Sequence, residues 1–429
     1  MKIAPAAALV GDVAVPGVKG LSQRAVLLGA VAEGESMIRN FGRAGDTESA
    51  ISAVRALGVE VIEDDVDTIR VRGVGLRGLR APDEPVDCGN AGTLMRLLAG
   101  LAAGQEHDIT LTGDESLRSR PMERIAIPLR KMGVNVDTDE GRPPVRIHGG
   151  SSLRPISYQL PVASAQVKSC VLLAGLYAQD GPTIVIEHGA PTRDHTERML
   201  RAMGARVEWS PHQASVWPVE RLEPLDVELP GDFSSAAPLI VAATLLAGSE
   251  LRIHGVNLNP TRTGLLDILG RMGARITVFN KRMLAGEPAG DLEIRSAELT
   301  ATAIKPSEVA SLVDELPVFA LAAGMARGES VVRGAEELRA KETDRIETVT
   351  TSLKALGIHI TAREDGFAVR GVPARPKGGD MTSAGDHRLA MLGAIAALVS
   401  REGVEVEDAE AASISFPGFF ELLESVTRR

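Results

Sequence analysis

Long apolar stretches alternate with short β-rich segments along the whole chain. Examples are AVLLGAVAEGESMIRNF, which starts at Ala25, and FALAAGMARGESVVRGA, which starts at Phe319. Stretches that are apolar on most helical faces predict buried helices, and the β-branched segments after them predict strands. The longest apolar run, Ala236–Ala247, is too short to span a membrane and is also predicted to be a buried helix.

A second pattern consists of amphipathic helices that end in Leu-Gly or Met-Gly before a strand. It recurs in RALGVEV, RKMGVNV, RAMGARV, GRMGARI and KALGIHI, whose glycines are Gly58, Gly133, Gly204, Gly273 and Gly357. Glycine suits the left-handed residue that closes a helix. Together the two patterns predict six repeats of a helix–strand–helix–strand unit, often with a further strand, and the Pro-rich stretch Trp217–Pro230 suggests a hinge between three units and three.

The first repeat illustrates the unit. Thr47–Leu57 is predicted to be an amphipathic helix with Asp46 or Thr47 as its N-cap, and Val59–Ile62 and Thr68–Arg72 are predicted to be the strand pair that follows.

Composition narrows the function. The chain has 429 residues, a net charge of −10 and only 3% aromatic residues, which argues against a nucleic-acid surface but allows a local basic pocket. Its two cysteines, Cys88 and Cys170, suggest neither a metal site nor a disulfide framework, so a reducing cytoplasm is expected. The N-terminal segment lacks the features of a signal peptide.

One motif is misleading. Gly73-Val-Gly75-Leu-Arg-Gly78 matches the dinucleotide-binding pattern, which requires a helix to begin there. The Pro-rich sequence that follows is not helical, so we interpret the motif as a turn at a strand end.

Charged and polar clusters stand at the predicted starts of the apolar helices, where backbone amides and the helix dipole favour anions. Each cluster alone has a structural explanation as a cap or a solvated face. Arg120 is predicted to stand at a helix start, because Pro121 suits the first helical position. Combined, the clusters predict a basic pocket for phosphates and carboxylates, with two acids for proton transfer. The cations are Lys19, Arg24, Arg120, Arg193, Lys341, Arg345 and Arg388, and the acids are Asp314 and Glu342.

In this order along the chain, the clusters resemble those of the 5-enolpyruvylshikimate-3-phosphate synthases. The segments that carry the resemblance are Lys19 to Arg24, Gly89–Thr93, Arg120-Pro121, Ser164–Lys168, Asp314-Glu315, Lys341–Arg345 and Asp386–Arg388. Arg193–Glu197 and Asn259–Arg262 are further similar to the class II branch.

The resemblance implies a two-domain inside-out α/β barrel with three βαβαββ units in each domain. The implied domains are residues 13–227 and residues 1–12 plus 228–429, with the active site in the cleft between them. It also implies a cytoplasmic monomer with no metal or organic cofactor, no nucleic-acid partner and no membrane attachment.

The implied reaction moves the enolpyruvyl group of phosphoenolpyruvate onto the 5-hydroxyl of shikimate-3-phosphate by addition and elimination. The implied catalytic residues are Asp314, Glu342 and Lys19. The implied shikimate-3-phosphate contacts are Lys19, Gly20, Arg24, Ser164, Ala165, Gln166, Arg193, Asp314 and Lys341. The implied phosphoenolpyruvate contacts are Lys19, Gly92, Arg120, Gln166, Arg345 and Arg388.

The sequence departs from the family at three positions near the first cluster. Gly20 replaces a usual serine whose hydroxyl helps to hold the substrate phosphate, and Val18 and Gln23 also differ from the usual residues. Loss of one hydrogen bond to a charged group costs about 1–3 kcal/mol, so weaker phosphate binding is expected.

Three alternatives follow from the same residues. A UDP-N-acetylglucosamine enolpyruvyl transferase is disfavoured because neither cysteine has the loop position of that family's acid. An enolpyruvyl transferase with another cyclic alcohol acceptor is suggested by Gly20. A non-catalytic repeat scaffold is disfavoured because Asp314, Glu342 and the arginines are all retained.

Overall fold

The computed structural model describes residues 1–189 and 191–429, which divide into two compact units. The N-terminal unit comprises residues 17–230 and 283–287, and the C-terminal unit comprises residues 1–16, 231–282 and 288–429. Each has its own hydrophobic core. Among the described residues, no helix combines the length and the apolar character that crossing a bilayer would require.

The strands are short and are numbered here in chain order. They are β1 Lys2–Ile3, β2 Ala8–Ala14, β3 Glu33–Arg39, β4 Glu60–Glu63, β5 Ile69–Val74, β6 Val86–Asp87, β7 Ile109–Thr112, β8 Val136–Asp139, β9 Arg142–Ile147, β10 Ser157–Gln159, β11 Thr183–Ile186, β12 Val207–Ser210, β13 Gln213–Val216, β14 Asp226–Glu228, β15 Glu250–Asn257, β16 Arg275–Leu284, β17 Glu287–Arg295, β18 Ala303–Ile304, β19 Gly328–Val332, β20 His359–Arg363, β21 Gly366–Gly371, β22 Gly379–Thr382, β23 Val404–Glu407 and β24 Thr427–Arg428.

The helices alternate with these strands. They are α1 Lys19–Ala30, α2 Gly45–Ala56, α3 Gly92–Ala102, α4 Glu115–Arg118, α5 Glu123–Lys131, α6 Ala165–Gly175, α7 His195–Ala202, α8 Phe233–Leu245, α9 Gly264–Arg271, α10 Pro306–Val309, α11 Leu316–Gly324, α12 Arg345–Ala355, α13 His387–Val399 and α14 Phe419–Val426. Three 3₁₀ turns cover Val313–Glu315, Glu336–Ala340 and Ala409–Ile414.

The sheets of the N-terminal unit share one topology. In chain-order labels they are β14-β3-β5-β4, β6-β7-β9-β8 and β10-β11-β13-β12. The first two strands of each are parallel and the others antiparallel. Strand β14 lies within the stretch that suggested a hinge, and it pairs with β3 from Asp226↔Met37 to Glu228↔Arg39.

The C-terminal unit repeats this topology with two changes. Its sheets are β16-β17-β15-β2-β24, β18-β19-β21-β20 and β1-β23-β22. Strand β24 extends the first sheet by pairing antiparallel with β2. In the last sheet the start of the chain takes the third position, because Lys2 pairs with Glu405 and Ile3 with Val404.

The helices that the apolar runs predicted lie inside these sheets. Helices α1, α3 and α6 of the N-terminal unit, and α8, α11 and α13 of the C-terminal unit, are buried along most or all of their lengths. The amphipathic helices bury one face only, as α7 and α9 show. Strands alternate buried and partly buried residues, as β7 and β11 do. Buried helices surrounded by sheets form an inside-out α/β arrangement in each unit.

Most local predictions hold and two details are wrong. The five glycines expected to close helices have φ between 84° and 97°. The helix predicted at Thr47–Leu57 instead begins at Gly45, and its N-cap is Ala44 rather than Asp46 or Thr47. Thr47 lies in the first turn and reaches back, because its Oγ1 accepts from the Ala44 amide at 2.9 Å.

Close helix packing in the N-terminal unit requires a glycine at position 100. A β carbon there would lie 2.4 Å from the carbonyl oxygen of Cys170 on helix α6. Gly100→Ala is therefore expected to destabilise the unit by about 1–3 kcal/mol, because the two helices must move apart.

Gly45→Ala is the matched control in the same unit, since a β carbon at that helical position would meet nothing within 4 Å. Its stability should change by less than about 0.5 kcal/mol. Thermal unfolding of both variants measures the difference, and equal midpoints would contradict the packing argument.

Candidate functional site

Two cations stand in the first turns of helix α1. Lys19 begins the helix and pairs its Nζ with Asp46 Oδ2 at 2.9 Å. Arg24, one turn later, is buried and donates from Nε to Thr196 Oγ1 and from Nη1 to the Gly20 carbonyl, both at 2.8 Å. Gly20 lies beside that guanidinium, because a β carbon on it would lie 3.4 Å from Arg24 Nη1.

The starts of helices α3 and α6 are joined by side chains. Gly92 is the first residue of α3, and Gln166 lies in the first turn of α6. Gln166 donates from Nε2 to Thr93 Oγ1 at 2.8 Å and accepts on Oε1 from Arg96. The amide of Gln166 is therefore oriented from both sides.

Ser164 and Ala165 form the start of α6. Ser164 is the N-cap, and its Oγ accepts from the Val167 amide at 3.4 Å. Ala165 is the first helical residue. The serine thus has the capping role that the sequence allowed.

Arg120 does not begin a helix, so that prediction is wrong. The helix after it, α5, begins at Glu123 with Met122 as its N-cap. The amides of Met122 and Glu123 donate to the Gly141 carbonyl at 2.7 and 3.1 Å, which delays the first helical turn beyond Pro121. Arg120 donates from Nη2 to Asn90 and to Ser116 Oγ, the latter at 3.3 Å.

Arg96 is a site residue that the sequence interpretation missed. It lies within α3, is 9% exposed, and also donates to the Pro121 carbonyl at 3.4 Å. Burial, together with the charges of Arg124 and Arg120, lowers the pKa of Arg96 to about 10. Its signal in the sequence is a single arginine inside an otherwise apolar helix.

Glycine at position 92 brings two guanidinium groups close to the backbone. A β carbon there would lie 3.3 Å from Arg120 Nη1 and 3.4 Å from Arg96 Nη1. Two like charges at the start of a helix form an electrostatically unfavourable group that an anion would relieve.

Arg193 lies between strand β11 and helix α7 and is partly buried. The two residues after it are tightly held. Asp194 accepts from Trp209 Nε1 at 3.2 Å and pairs with Arg198 at 2.8 Å, and His195 Nδ1 lies 2.8 Å from Glu287 Oε1. Asp194, His195 and Glu287 offer ligand atoms within 4.8 Å of one another, and the described protein contacts already account for their arrangement.

Asp314 occupies the centre of the acidic and basic cluster in the C-terminal unit. It lies in the 3₁₀ turn just before helix α11. Its Oδ1 is 3.7 Å from Arg345 Nη1, and its Oδ2 is 3.6 Å from Arg388 Nη2. A carboxylate between two guanidinium groups is favoured in its ionised form.

Arg345 is 1% exposed and is held mainly by Asp386. Its Nε and Nη2 donate to the two carboxylate oxygens of Asp386 at 2.7 and 3.1 Å, and Nη2 also donates to Glu342 Oε2 at 2.6 Å. Asp386 caps helix α13 as well, because its Oδ1 accepts from the Arg388 amide at 2.9 Å. One carboxylate therefore orients the Arg345 guanidinium and caps the helix that carries Arg388.

The cluster shifts the pKa values of its members. Burial acts to raise the pKa of Glu342 and of Asp386, but Arg345, the charge of His387 and backbone hydrogen bonds together outweigh burial, so both pKa values lie below the ordinary ones. Burial acts to lower the pKa of Arg388, but the charges of Asp314, Glu315 and Glu342 outweigh it, so its pKa lies above the ordinary value. Glu342 is therefore a carboxylate at neutral pH.

Lys341 adjoins this cluster in sequence and pairs with Glu337 at 2.6 Å. Its neighbour in sequence, Glu342, hydrogen-bonds to Arg345.

The Gly73–Gly78 motif lies elsewhere. Strand β5 ends at Val74 and a turn follows, as predicted. Gly75 and Gly78 line an open cavity of about 590 Å³, together with Glu33, Arg77 and Tyr177. None of the predicted site residues lines this cavity, so its size carries no weight in assigning the site.

Comparison with known proteins gives a consistent result. A family model described as EPSP synthase (3-phosphoshikimate 1-carboxyvinyltransferase) matches residues 3–423. A 3-phosphoshikimate 1-carboxyvinyltransferase of Salinibacter ruber is 48% identical over 424 residues, which cover 98% of each chain. One of Geobacter metallireducens is 46% identical over all of this chain and 99% of its own.

Solved structures agree. An EPSP synthase from Acinetobacter baumannii matches with a TM-score of 0.92 and 41% identity, over 99% of this chain and 98% of that one. The enolpyruvyl transferase NikO from Streptomyces tendae, at 21% identity and a TM-score of 0.78, shows a likeness of fold alone. The predicted inside-out α/β barrel is thereby confirmed.

The Asp386–Arg345 pair should make the stability of the C-terminal unit depend on pH. Asp386→Asn removes the charge while keeping a side chain that caps helices well, and loss of a buried ion-pair partner costs about 3–5 kcal/mol. Because the folded-state pKa of Asp386 lies below the ordinary 3.8, the wild-type advantage is complete above pH 3.8 and is lost as the pH falls through the folded-state value.

Chemical denaturation of both proteins between neutral and acidic pH measures this difference. Glu424→Gln is the control, because Glu424 pairs with Arg429 at the surface of the same unit and should contribute nothing resolvable. A wild-type advantage that did not narrow in acid would contradict the assignment to Asp386.

Proposed function

We propose roles for these side chains in the reaction of this chain, which belongs to the EPSP synthase (3-phosphoshikimate 1-carboxyvinyltransferase) family. The chain is a transferase that moves the enolpyruvyl group of phosphoenolpyruvate to the 5-hydroxyl of shikimate-3-phosphate and releases phosphate. The reaction belongs to the shikimate pathway of aromatic amino-acid biosynthesis. The reaction predicted from the sequence is thus confirmed, and a different acceptor or a non-catalytic scaffold is not favoured.

The observation that carries the proposed roles is the position of Asp314 between Arg345 and Arg388. A general base must be ionised before it can accept a proton, and both arginines favour the carboxylate form. We assign Asp314 to accept the proton of the 5-hydroxyl as that oxygen attacks C2 of phosphoenolpyruvate.

Proton transfer at C3 needs a donor and then an acceptor. C3 gains a proton during addition, which gives a tetrahedral intermediate, and loses one as phosphate leaves and the double bond returns. Glu342 is ionised at neutral pH because its pKa is lowered, and the accepting step requires an ionised carboxylate. Lys19 carries an ammonium that suits the donating step, and it also serves to bind anions.

Phosphoenolpyruvate carries a phosphate and a carboxylate, so its site needs several cations. The crowding of Arg96 and Arg120 around Gly92 supports an anion site at the start of α3. Positive groups fixed before the reaction begins also stabilise the charge that develops during it. We assign phosphoenolpyruvate to Lys19, Gly92, Arg120, Gln166, Arg345 and Arg388, and add Arg96 as the residue that orients Gln166.

Shikimate-3-phosphate needs a phosphate site and polar contacts for its hydroxyl groups. The start of α1 supplies Lys19 and Arg24, and the start of α6 supplies a serine and an amide. We assign shikimate-3-phosphate to Lys19, Gly20, Arg24, Ser164, Ala165, Gln166, Arg193, Asp314 and Lys341. The first set of residues thus binds the enolpyruvyl donor, and the second set binds its acceptor.

We further propose that the enzyme is a cytoplasmic monomer without a nucleic-acid or membrane partner. Both cysteines are free and buried, and burial raises their pKa values, to about 12 for Cys170, so neither suits thiol chemistry. Sedimentation of the purified chain measures its mass directly.

The base assignment predicts the effect of Asp314→Asn. Removing a general base typically costs a factor of about 10²–10⁴, so kcat should fall by that amount while the protein stays folded. Phosphate release from phosphoenolpyruvate and shikimate-3-phosphate is measured for the wild type and for the variant. The wild-type rate tests the reaction, and the variant rate tests the role of Asp314. Asp380→Asn, an exposed acid on strand β22, is the control and should keep the wild-type rate.

No phosphate release by the wild type at millimolar substrates would refute the reaction itself. Release by Asp314→Asn at the full rate would refute only the role of Asp314.

Gly20 offers a gain-of-contact prediction. Its conformation lies outside the left-handed region, and a β carbon there would make an ordinary contact with Arg24. Gly20→Ser therefore places a hydroxyl at the start of α1 without strain. If it gains a hydrogen bond to the substrate phosphate of about 1 kcal/mol or more, the KM for shikimate-3-phosphate should fall at least about fivefold.

Gly20→Ala is the matched control, since it adds the β carbon without the hydroxyl. The prediction fails if the serine variant keeps the wild-type KM, or if alanine lowers it equally.

A further inference from the structure

Lys168 is a buried cation in helix α6, whose N-cap is Ser164. It lies in the first turns of α6, two residues after Gln166, and is 2% exposed. Its Nζ contacts Glu197 Oε1 at 2.9 Å and Glu187 Oε2 at 3.1 Å, and it donates to the Thr192 carbonyl at 3.4 Å. One ammonium therefore binds three groups outside its own helix.

These three groups surround the segment that presents Arg193. Glu187 directly follows strand β11, Thr192 immediately precedes Arg193, and Glu197 lies in the first turn of α7. Thr192 Oγ1 also donates to Glu187 Oε1, which joins the two ends of the segment. The backbone next to Arg193 is thus anchored to α6 through Lys168.

A second set of contacts runs beside the first. Ser169, the next residue of α6, lies 2.7 Å from Thr196 Oγ1, and Arg24 donates to both hydroxyls. Hydrogen bonds among Arg24, Ser169 and Thr196 therefore connect the first turns of α1, α6 and α7. Of the residues assigned to shikimate-3-phosphate, Arg24 belongs to this buried polar network, and Arg193 lies three residues before its member Thr196.

Burying the charged groups of this network costs free energy, and packing alone does not explain why they are buried. Glu187 and Glu197 are 3% and 0% exposed, and Glu197 lies against the core face of α7. A buried cation with two carboxylates is often less stabilising than apolar residues of similar volume. Burial raises the pKa of Glu197. Burial acts to lower the pKa of Lys168, but the charges of Glu197 and Glu187 outweigh burial and keep that pKa above its ordinary value. The lysine therefore stays protonated and keeps its contacts.

We propose that Lys168 is a positioning residue that holds Glu187 and Thr192 against α6, so that Arg193 is placed to bind shikimate-3-phosphate. Lys168 acts through Arg193 and the segment before it. This inference rests on the assignment of Arg193 in the proposed function, and it adds a residue that the assigned contacts do not include.

The test is a double-mutant cycle on substrate binding. Lys168→Met keeps the length of the side chain and removes the charge. We expect it to raise the KM for shikimate-3-phosphate about tenfold, a coupling within the range measured for residues of one network, with the KM for phosphoenolpyruvate and kcat within about twofold of wild type. In an Arg193→Ala background the same change should have less than about a twofold effect.

Two further variants separate positioning from folding. Cys170→Ala creates a small cavity at a fully buried position of the same helix, so it should lower the thermal midpoint and leave both KM values unchanged. Glu187→Gln keeps the volume and weakens the contact to Lys168, so it should raise the KM for shikimate-3-phosphate in the same direction as Lys168→Met. It keeps the proposal testable if Lys168→Met does not fold.

The outcomes distinguish this inference from the proposed function. If Arg193→Ala raises the KM for shikimate-3-phosphate but Lys168→Met has its full effect in that background, the positioning role is overturned and Arg193 keeps its assignment. A parallel rise in the KM for phosphoenolpyruvate also overturns it, because the change then acts through Gln166. If Arg193→Ala alone changes nothing, the assignment of Arg193 fails, and the positioning role fails with it.

Discussion

Helices buried on every side are the constraint on which both units depend. A helix inside a ring of sheets has no polar face, so a charged residue is favoured near its ends and needs a compensating partner elsewhere. Its first amides lack partners within the helix, and they must be satisfied by caps, water or ligands. In both units the polar side chains accordingly concentrate in the first turns, where Ser164, Asp232 and Asp386 are N-caps. The fold therefore creates a polar region at the helix starts before any selection for chemistry.

The two units use that region differently. In the N-terminal unit, the hydrogen-bond acceptors of Arg96 and Arg120 include the neutral side chains of Gln166, Asn90 and Ser116. These neutral groups do not balance the two positive charges, which therefore favour an anionic ligand. In the C-terminal unit, Arg345 and Arg388 face carboxylates, so charge is nearly balanced within the protein. An uncompensated group favours anion binding, whereas a compensated one fixes the ionisation of its members. The two units therefore differ in how far the charge of their arginines is compensated within the protein.

The sequence was sufficient for features that depend on local patterns. The apolar runs predicted the buried helices, and the closing glycines such as Gly58 were found because a left-handed residue is a local requirement. Two predictions failed for different reasons. The distant Gly141 carbonyl accepts from the amides of Met122 and Glu123, which follow Pro121. Thr47 caps by reaching back from inside the helix to the amide of Ala44, the N-cap. The Arg345–Asp386 and Lys168–Glu187 pairs could not be predicted from local patterns, because their members are 41 and 19 residues apart in sequence.

Arg96 shows how the missed residues could be found. An arginine among leucines within a buried helix contradicts the apolar pattern, and such a charge is retained only if something compensates it. Lys168 breaks the pattern of α6 in the same way, two residues after Gln166. Both residues are first-turn or second-turn cations that contact polar groups of a neighbouring helix or of the segment before it. In a fold whose helices have no polar face, the charged residues inside the apolar runs are therefore the ones that organise the site, and they identify its supporting network before any ligand is known.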